Sequence, residues 1–394
     1  MGASSFISSR LLRESRTGTL ATKIATAGVA VGVFVMLISV SIVLGFQGEI
    51  REKMANFSGH LRVVNHEGIY HPAPRSILFD NEEMTWMYRQ PHVMDIHRFA
   101  VREGMLKTDE TFRGIQLKGI APDSVLYGGS GMSMRISRAI ADGMGLKVGD
   151  HVFAYFFDGS LKARRFTVVD IYETHLKEFD ENVCFCPLSV IQQLNGWSPE
   201  EVDGVEVLLD DFTSLGNASQ QFKRHFNKKT DKYDRPYVSL SLWDVYPQIF
   251  SWLDLLDGNV WAILIIMILV AVTTVVCGLL IIILEQTSLI GLLKALGCSN
   301  IQVRGIFLRL SALIVLRALA CGNIAALLLI CIQRYTGFIH LDADTYYLSE
   351  VPMYISVPLF VMIDIGVFVV TTLSLILPSY VVSRISPAQT MRFE

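Results

Sequence analysis

Few residues of this sequence have the types and spacing that chemistry requires. Residues 143–150, GMGLKVGD, have the composition of a phosphate loop, but they lack its Lys-Ser/Thr ending and its glycine spacing. We interpret them as a helix end and a turn that enters a strand. The chain also contains no H-E-x-x-H, G-x-S-x-G or Walker A motif. No catalytic residue is therefore predicted.

Cysteine and histidine give no stronger indication of a site. Cys184 and Cys186 lie two positions apart on a predicted strand and would face the same side. We favour small buried thiols over a disulfide, and a C-x-C metal site would need further ligands that are not apparent. The nine histidines are scattered, which is typical of surface or hydrogen-bonded histidines. The expectation is that the chain holds no metal.

Four long apolar stretches determine where the other parts of the chain lie. They cover residues 24–46, 258–284, 310–333 and 353–383. Each supplies the roughly 20 apolar residues that cross a bilayer as a helix. The first is too long for a cleaved signal peptide and is followed by no A-x-A-like site. The sequence therefore predicts four transmembrane helices in a one-plus-three arrangement, which agrees with the positive mean hydropathy.

The distribution of lysine and arginine predicts the orientation. Basic residues flank the inner ends of the predicted spans: Arg10, Arg13, Arg16, Lys23, Lys294, Arg304, Arg309, Arg384 and Arg392. We therefore expect the amphipathic segment 1–23, the loop 285–309 and the tail 384–394 to be cytoplasmic. The block 47–257 and the acidic loop 334–352 would lie outside. With a net charge of −3, nothing indicates nucleic acid as a partner.

The outer block reads as a mixed α/β domain. Strand-like runs occur at residues 60–64, 151–157, 165–171, 183–186 and 205–209. Short helices are predicted at 137–145 and 188–194.

The cytoplasmic loop contains an amphipathic helix. Its apolar residues are Leu289, Ile290, Leu292, Leu293 and Leu296. Gly297 can end it. Such a helix either binds a partner protein or lies on the membrane surface.

Two charged residues lie within the predicted spans. Arg317 is in the third and Asp364 in the fourth. A charge at the bilayer centre costs at least about 2.5 to 3.5 kcal/mol on insertion scales, so neither is expected to face lipid. One hypothesis pairs the two across the bundle, although their depths differ by about 10 Å. The alternative gives each a polar partner on the second span, such as Thr273 or Thr274.

Several segments together resemble the FtsX-like, type VII class of ABC-transporter permeases. The run GLLKALG at 291–297 resembles the coupling segment of that class. Further matching pieces are GVAVGVFVMLISVSIVLGFQGEIRE from residue 28, ISRAIADGMGLKVGD at 136–150, FTVVDI at 166–171 and PAQTMRFE at 387–394. Within the class the chain is most similar to the lipoprotein-releasing LolC/LolE type, over essentially its whole length.

The resemblance implies an α-helical membrane protein with a large extracytoplasmic α/β domain of the MacB-like periplasmic core type. Such permeases dimerise, with the same or a related chain, in the cell inner membrane. They bind two copies of a LolD-like ABC ATPase, which holds the ATP and Mg. A lipoprotein enters from the outer leaflet and passes to a periplasmic carrier by mechanotransmission, so the permease itself is no enzyme and needs no cofactor.

The resemblance also implies two sets of functional residues. The ATPase-coupling set is Leu289, Gly291, Lys294, Ala295 and Gly297, for which helix stability alone is the structural alternative. The substrate-cavity set on the first span is Val33, Met36, Leu37, Val40, Leu44 and Phe46. Lipid-facing or bundle-packing roles are the alternative for each of these.

The chain departs from the family pattern in two places. Leu289 stands where many members have an acidic residue before the Ile-Gly of the coupling segment. In addition, a short FDGSLKAR joins the strands near 156–165, where LolC-type subunits carry a long hook that recruits the carrier. The chain is therefore expected to be LolE-like or to engage its carrier differently. The family fold implies two subdomains, the inserted one covering about 122–203.

Two other functions remain open. An exporter permease for drugs or peptides, of the FtsX/MacB type, shares the fold and the motor. A transmembrane signalling subunit is the third possibility, although members of that kind generally have a smaller outer domain. The PAQTMRFE ending favours lipoprotein release over drug or peptide export.

Overall fold

The computed structural model describes residues 18–69, 75–108, 111–121, 131–158 and 160–376. The described chain divides into two compact units. We call the first the helical unit; its described residues are 18–47, 253–340 and 350–376. We call the second the sheet unit; it consists of the described part of Gly48–Trp252 together with Leu341–Ser349.

The described helices are numbered in chain order. They are α1 (Gly18–Ser58), α2 (Asn81–Tyr88), α3 (Arg138–Met144), α4 (Lys177–Asp180), α5 (Leu188–Asn195), α6 (Leu215–Phe226), α7 (Leu242–Val245), α8 (Pro247–Glu285), α9 (Thr287–Ala295), α10 (Asn300–Thr336), α11 (Ala343–Tyr346) and α12 (Val357–Ser374). Short 3-10 helices cover Glu67–Ile69 and Phe212–Ser214.

Four helices of the described chain are long and apolar enough to cross a membrane, namely α1, α8, α10 and α12. The predicted one-plus-three arrangement is thereby confirmed. Helix α1 is longer than the predicted span, because it continues without a break to Ser58. The predicted ends of the first and last segments, 1–17 and 377–394, lie outside the described residues.

The helical unit has an apolar core to which all four of these helices contribute. Val33 of α1, Val275 of α8, Val315 of α10 and Val367 of α12 are buried in it. Small residues allow the helices to approach closely. A β-carbon at Gly322 of α10 would lie 2.8 Å from the Ala30 carbonyl oxygen of α1, so a larger residue would separate the two helices.

The sheet unit contains nine described strands. They are β1 (Leu61–Asn65), β2 (Val93–Lys107), β3 (Phe112–Ile120), β4 (Ser133–Ser137), β5 (His151–Asp158), β6 (Ser160–Tyr172), β7 (Val183–Pro187), β8 (Gly204–Leu209) and β9 (Tyr237–Ser241). Their order in the sheet is β3-β7-β4-β6-β5-β2-β8-β1-β9, with β2 also paired to β3. The strands and short helices predicted for the outer block all form, and β2, β3, β4 and β9 were not predicted.

The second pairing of β2 closes part of the sheet into a ring of β2, β3, β7, β4, β6 and β5. The first half of β2 instead pairs with β8, from Val93 to Phe99. It thereby joins the ring to the remaining strands, β8, β1 and β9. Because β2 and β3 precede residue 122, the ring is larger than the predicted inserted subdomain, 122–203. The division into two subdomains stays a prediction.

The region of the missing hook is a tight hairpin. Strands β5 and β6 pair from His151 opposite Thr167 to Asp158 opposite Ser160. Most of FDGSLKAR is therefore strand.

Side chains of the strands outside the ring alternate between the two faces of the sheet, as β1 shows. On β1, Leu61 and Val63 are fully buried, whereas Arg62 and Val64 are only partly covered. Helix α6 supplies Phe222 and Phe226, both fully buried, to this unit's core.

The two cysteines of β7, Cys184 and Cys186, are buried free thiols, which agrees with the preferred interpretation of the sequence. Burial raises the pKa of both thiols well above the ordinary value, because desolvation disfavours the thiolate. Thiolate is the reactive form, so a structural role suits both residues.

Candidate functional site

The first candidate site is α9, between the long helices α8 and α10. Its C-terminus has a complete glycine-ended hydrogen-bond pattern. The Gly297 amide donates to the Lys294 carbonyl (3.1 Å), and the Cys298 amide donates to the Leu293 carbonyl (3.0 Å). Gly297 has φ +92°, a conformation that favours glycine. Its predicted role in ending the helix is thereby confirmed.

The start of α10 is also held by reciprocal hydrogen bonds. The Gln302 amide donates to the Ser299 hydroxyl oxygen (3.3 Å), and the Ser299 amide donates to the Gln302 side-chain oxygen (2.9 Å). This capping box starts α10. Helices α9 and α10 are therefore joined by a short turn that begins at Leu296.

Helix α9 has an inner and an outer apolar side. Ile290 is fully buried in the core of the helical unit, and Leu293 packs against the same core. Leu292 and Leu296 instead expose 54% and 74% of their surface. Ile301, in the first turn of α10, is 79% exposed, and we call these three residues the α9 patch. Exposed apolar side chains of this kind are typical of a surface that contacts a partner protein or the membrane.

The predicted coupling residues are divided between the two sides. Gly291 is buried, Leu289 and Lys294 are half-buried, and Ala295 and Gly297 are exposed. Partial burial lowers the pKa of the Lys294 ammonium below its ordinary value. The predicted coupling set does not include the exposed Leu292 and Leu296, although their spacing of four on a short amphipathic helix places them on one face.

The predicted substrate-cavity residues lie on the face of α1 that packs inside a single chain. Val33, Met36 and Leu37 are fully buried in the core of the helical unit. Val40 and Phe46 are buried as well, and Leu44 is half-buried. The opposite face carries the exposed Ile24 and Val31.

The chain segment before α12 lies against α1 beside Leu44. The Ser41 hydroxyl donates to the Tyr354 carbonyl (2.9 Å), and the Tyr354 amide donates to the Ser41 carbonyl (3.0 Å). A β-carbon at Gly45 would lie 2.5 Å from the Pro352 carbonyl oxygen, so only glycine fits at that position.

The two intramembrane charges have different surroundings. The Asn323 amide of α10 donates to both carboxylate oxygens of Asp364 on α12, at 3.0 Å each. Arg317 is exposed on α10, and the described residues contain no ion pair between it and Asp364. The expected direct pair is therefore corrected: Asn323, six residues beyond Arg317 and about 9 Å further along the helix, lies level with Asp364.

The alternative partners on the second span are corrected too. The hydroxyls of Thr273 and Thr274 donate to the carbonyls of Leu269 and Val270 in their own helix, at 2.8 Å each.

Comparison with protein families gives one match. Residues 261–387 match the model described as the FtsX-like permease C-terminal domain. The matched segment begins within α8 and includes α9, α10 and α12.

Curated proteins match over nearly the full length. The chain is 22% identical to the lipoprotein-releasing system transmembrane protein LolC of Xylella fastidiosa (strain Temecula1 / ATCC 700964), over 98% of this chain and 97% of that protein. It is 23% identical to LolC of Neisseria meningitidis serogroup B, over 99% of both chains. It is 19% identical to LolE of Haemophilus influenzae, over 98% of both chains.

Solved structures also match. One is the extracellular domain of the ABC-type transporter YknZ from Gram-positive bacteria, with a TM-score of 0.31 and 15% identity over 46% of this chain and 99% of that one. Another is the periplasmic region of MacB from Actinobacillus actinomycetemcomitans, with a TM-score of 0.32 and 11% identity over 50% of this chain and 95% of that one.

Proposed function

We propose that this chain, an FtsX-like permease similar throughout to LolC and LolE, is the membrane permease subunit of an ABC transporter that releases lipoproteins. The observation that carries the proposal is the end-to-end match with these proteins, over 98% or more of this chain. The match includes both the spans and the large domain between the first and second of them.

The proposed mechanism divides the work between two proteins. A LolD-like ATPase, in two copies, binds ATP with Mg and closes around it. The permease subunit performs no covalent chemistry. The α9 patch is the surface that we propose for the ATPase, because Leu292, Leu296 and Ile301 are exposed and apolar. Lys294, Ala295 and Leu289 would contact the same partner, while the buried Gly291 would support α9 from within.

The proposed substrate path lies along α1. A lipoprotein would leave the outer leaflet of the inner membrane between the first helices of two permease subunits, the second being the same or a related chain. Because Val33, Met36 and Leu37 are fully buried in a single chain, acyl chains would reach them only if α1 moved away from its neighbours. Leu44, which is half-buried, would be accessible first.

The proposed location is the bacterial inner membrane, with both termini in the cytoplasm and the sheet unit in the periplasm. This orientation rests on the basic residues near the inner ends of the spans. The product would pass to a periplasmic carrier. The tight β5–β6 hairpin offers no long hook, so the carrier would dock elsewhere.

Depletion of the protein from its own cells tests the proposal. Inner and outer membranes are separated, and the lipid-anchored proteins in each are counted. Accumulation of acylated proteins in the inner membrane is the expected result. Normal sorting of lipoproteins, together with new sensitivity to exported drugs or peptides, would contradict the proposal and favour an exporter.

A further inference from the structure

Three charged side chains meet at the end of α1, inside the sheet unit. The Lys118 ammonium on β3 lies 2.8 Å from both carboxylate oxygens of Glu206 on β8. Arg62 of β1 stands directly opposite Glu206 in the ladder, with its guanidinium 2.8 Å from the same carboxylate. Only 6% of the Lys118 side chain and 5% of the Glu206 side chain are exposed. We call Arg62, Lys118 and Glu206 the helix-end cluster.

Both cations of the cluster also bind the backbone at the end of α1. Lys118 donates to the Phe57 carbonyl (2.6 Å), and Arg62 donates to the Ser58 carbonyl (3.0 Å) and hydroxyl (2.8 Å). The last carbonyls of a helix lack partners within the helix and carry partial negative charge. The cluster therefore caps the same helix that supplies the first predicted span.

The second membrane helix begins at the same place. The hydroxyl groups of Ser58 and Tyr246 are hydrogen-bonded at 2.7 Å, and Tyr246 is the residue directly before α8. The start of α8 is thus held to the end of α1 through Ser58, the residue that Arg62 also binds.

Glu206 is the residue on which the cluster depends. The two cations hold the pKa of its carboxyl below the ordinary value, so it is an anion at neutral pH. The ring of Phe99 lies 5.3 Å from the Arg62 guanidinium carbon and 5.6 Å from the Lys118 nitrogen, which favours the cations without neutralising them. Without the carboxylate, the buried Lys118 ammonium and the partly covered Arg62 guanidinium would remain close together as like charges.

We propose that the helix-end cluster is the joint that passes motion of α1 and α8 into the sheet unit, with Glu206, Lys118 and Arg62 as positioning residues. The inference rests on the proposed function, because it assumes that ATP hydrolysis moves these helices. Charge-assisted hydrogen bonds are roughly twice as strong as neutral ones, so displacement of the end of α1 would pull on the strands that carry Arg62 and Lys118.

The test uses proteoliposomes that contain the full chain with its co-purified ATPase, a triacylated protein and the carrier. Glu206→Gln keeps the shape of the side chain and removes its charge. We expect the lipoprotein released per ATP hydrolysed to fall by about tenfold, with hydrolysis itself retained. Glu173→Gln is the matched control, because Glu173 forms an exposed ion pair with Arg138 at 3.0 Å in the same unit. The control should release lipoprotein like wild type.

Each outcome decides the inference. Failure of the wild-type chain to release lipoprotein would reject the proposed function, and with it the premise of the joint. Release by Glu206→Gln at the wild-type yield, or equal loss of hydrolysis and release in folded protein, would overturn the joint alone. If Glu206→Gln does not fold, Lys118→Met with Glu206→Met replaces the buried pair by apolar side chains of similar size, a change that often preserves folding. The lipoprotein that this double variant releases per ATP hydrolysed then decides the inference in the same way.

Discussion

At the scale of single residues, the half-buried Asp364 shows how the bundle accommodates a carboxyl group. Its partner is the Asn323 amide, which donates to both oxygens at 3.0 Å. The sequence identifies Asp364 as unusual, because a charged residue in an apolar span needs a partner. It does not identify the partner, because that depends on how far α10 and α12 are rotated about their axes. Asn323 carries no charge and attracts no attention in the sequence.

Removal of Asn323 should destabilise the bundle. We expect Asn323→Ala to lower the unfolding free energy of the full chain in detergent by about 1 kcal/mol, since interhelical hydrogen bonds in membrane proteins are of this order. A double-mutant cycle with Asp364→Ala measures the coupling. Thr273→Ala is the control, since its hydroxyl bonds only its own helix. Strictly additive effects of the two substitutions would show that the contact contributes nothing.

At the scale of elements, α9 combines a buried face with an exposed one. Ile290 fixes it to the bundle, while Leu292 and Leu296 remain available on the outside. The amphipathic pattern and the terminal glycine predict the helix from sequence alone. The choice between inner and outer leucines requires the rotation of α9 against the rest of the helical unit, which depends on tertiary packing of residues such as Ile290.

A charge in the α9 patch should detach the ATPase. We expect Leu292→Glu to abolish co-purification of the ATPase, because a carboxylate would have to be desolvated in an apolar contact. Val148→Glu, at a 59% exposed position of the sheet unit, is the matched control and should leave the complex intact. Pull-down from detergent extract measures both variants. Normal recovery of the ATPase with Leu292→Glu would show that the ATPase does not bind the α9 patch.

The end of α1 is the second element on which the proposed function depends. Gly59 follows the last helical residue with φ +68°, and a β-carbon there would lie 2.9 Å from the β-carbon of Glu206. The sequence places the end of the first span near residue 46, because apolar residues stop there. It cannot indicate that the helix continues to Ser58, since the continuation is supported by contacts within the sheet unit.

Substitution at Gly59 should be costly. We expect Gly59→Ala to lower the unfolding free energy by about 1–3 kcal/mol, because alanine is strained at positive φ and would meet Glu206. Gly48→Ala is the matched control. Gly48 lies within α1, and no atom lies within 4 Å of the added carbon. There alanine should stabilise the helix by about 1 kcal/mol. Equal thermal or chemical unfolding of the two variants would contradict the role of Gly59.

The strands that sequence reasoning missed share a physical cause. Strand β2 carries Arg102 and Glu103 in its centre, and β3 carries Lys118, so neither shows a clean alternation of apolar and polar residues. Lys118 is tolerated there because Glu206 and the Phe57 carbonyl satisfy it. Since such partners come from distant parts of the chain, local patterns cannot reveal them.

At the scale of the whole molecule, the sequence predicts the architecture better than the topology. Four spans and a large α/β domain follow from apolar runs and strand-like segments, and both are confirmed. The order of the nine described strands does not follow, because β2 reaches from β8 at one end to β3 and β5 at the other. Such pairings depend on tertiary packing rather than on local propensity.

The central claim is that this chain converts ATP hydrolysis by a partner into release of lipoproteins. The most direct measurement is the transfer of a triacylated protein from proteoliposomes, containing the chain and its co-purified ATPase, to a soluble carrier. We expect transfer with ATP and none with a non-hydrolysable analogue, and none when the acyl chains are absent from the substrate. Transfer that is independent of ATP, or equal transfer of the non-acylated protein, would contradict the account.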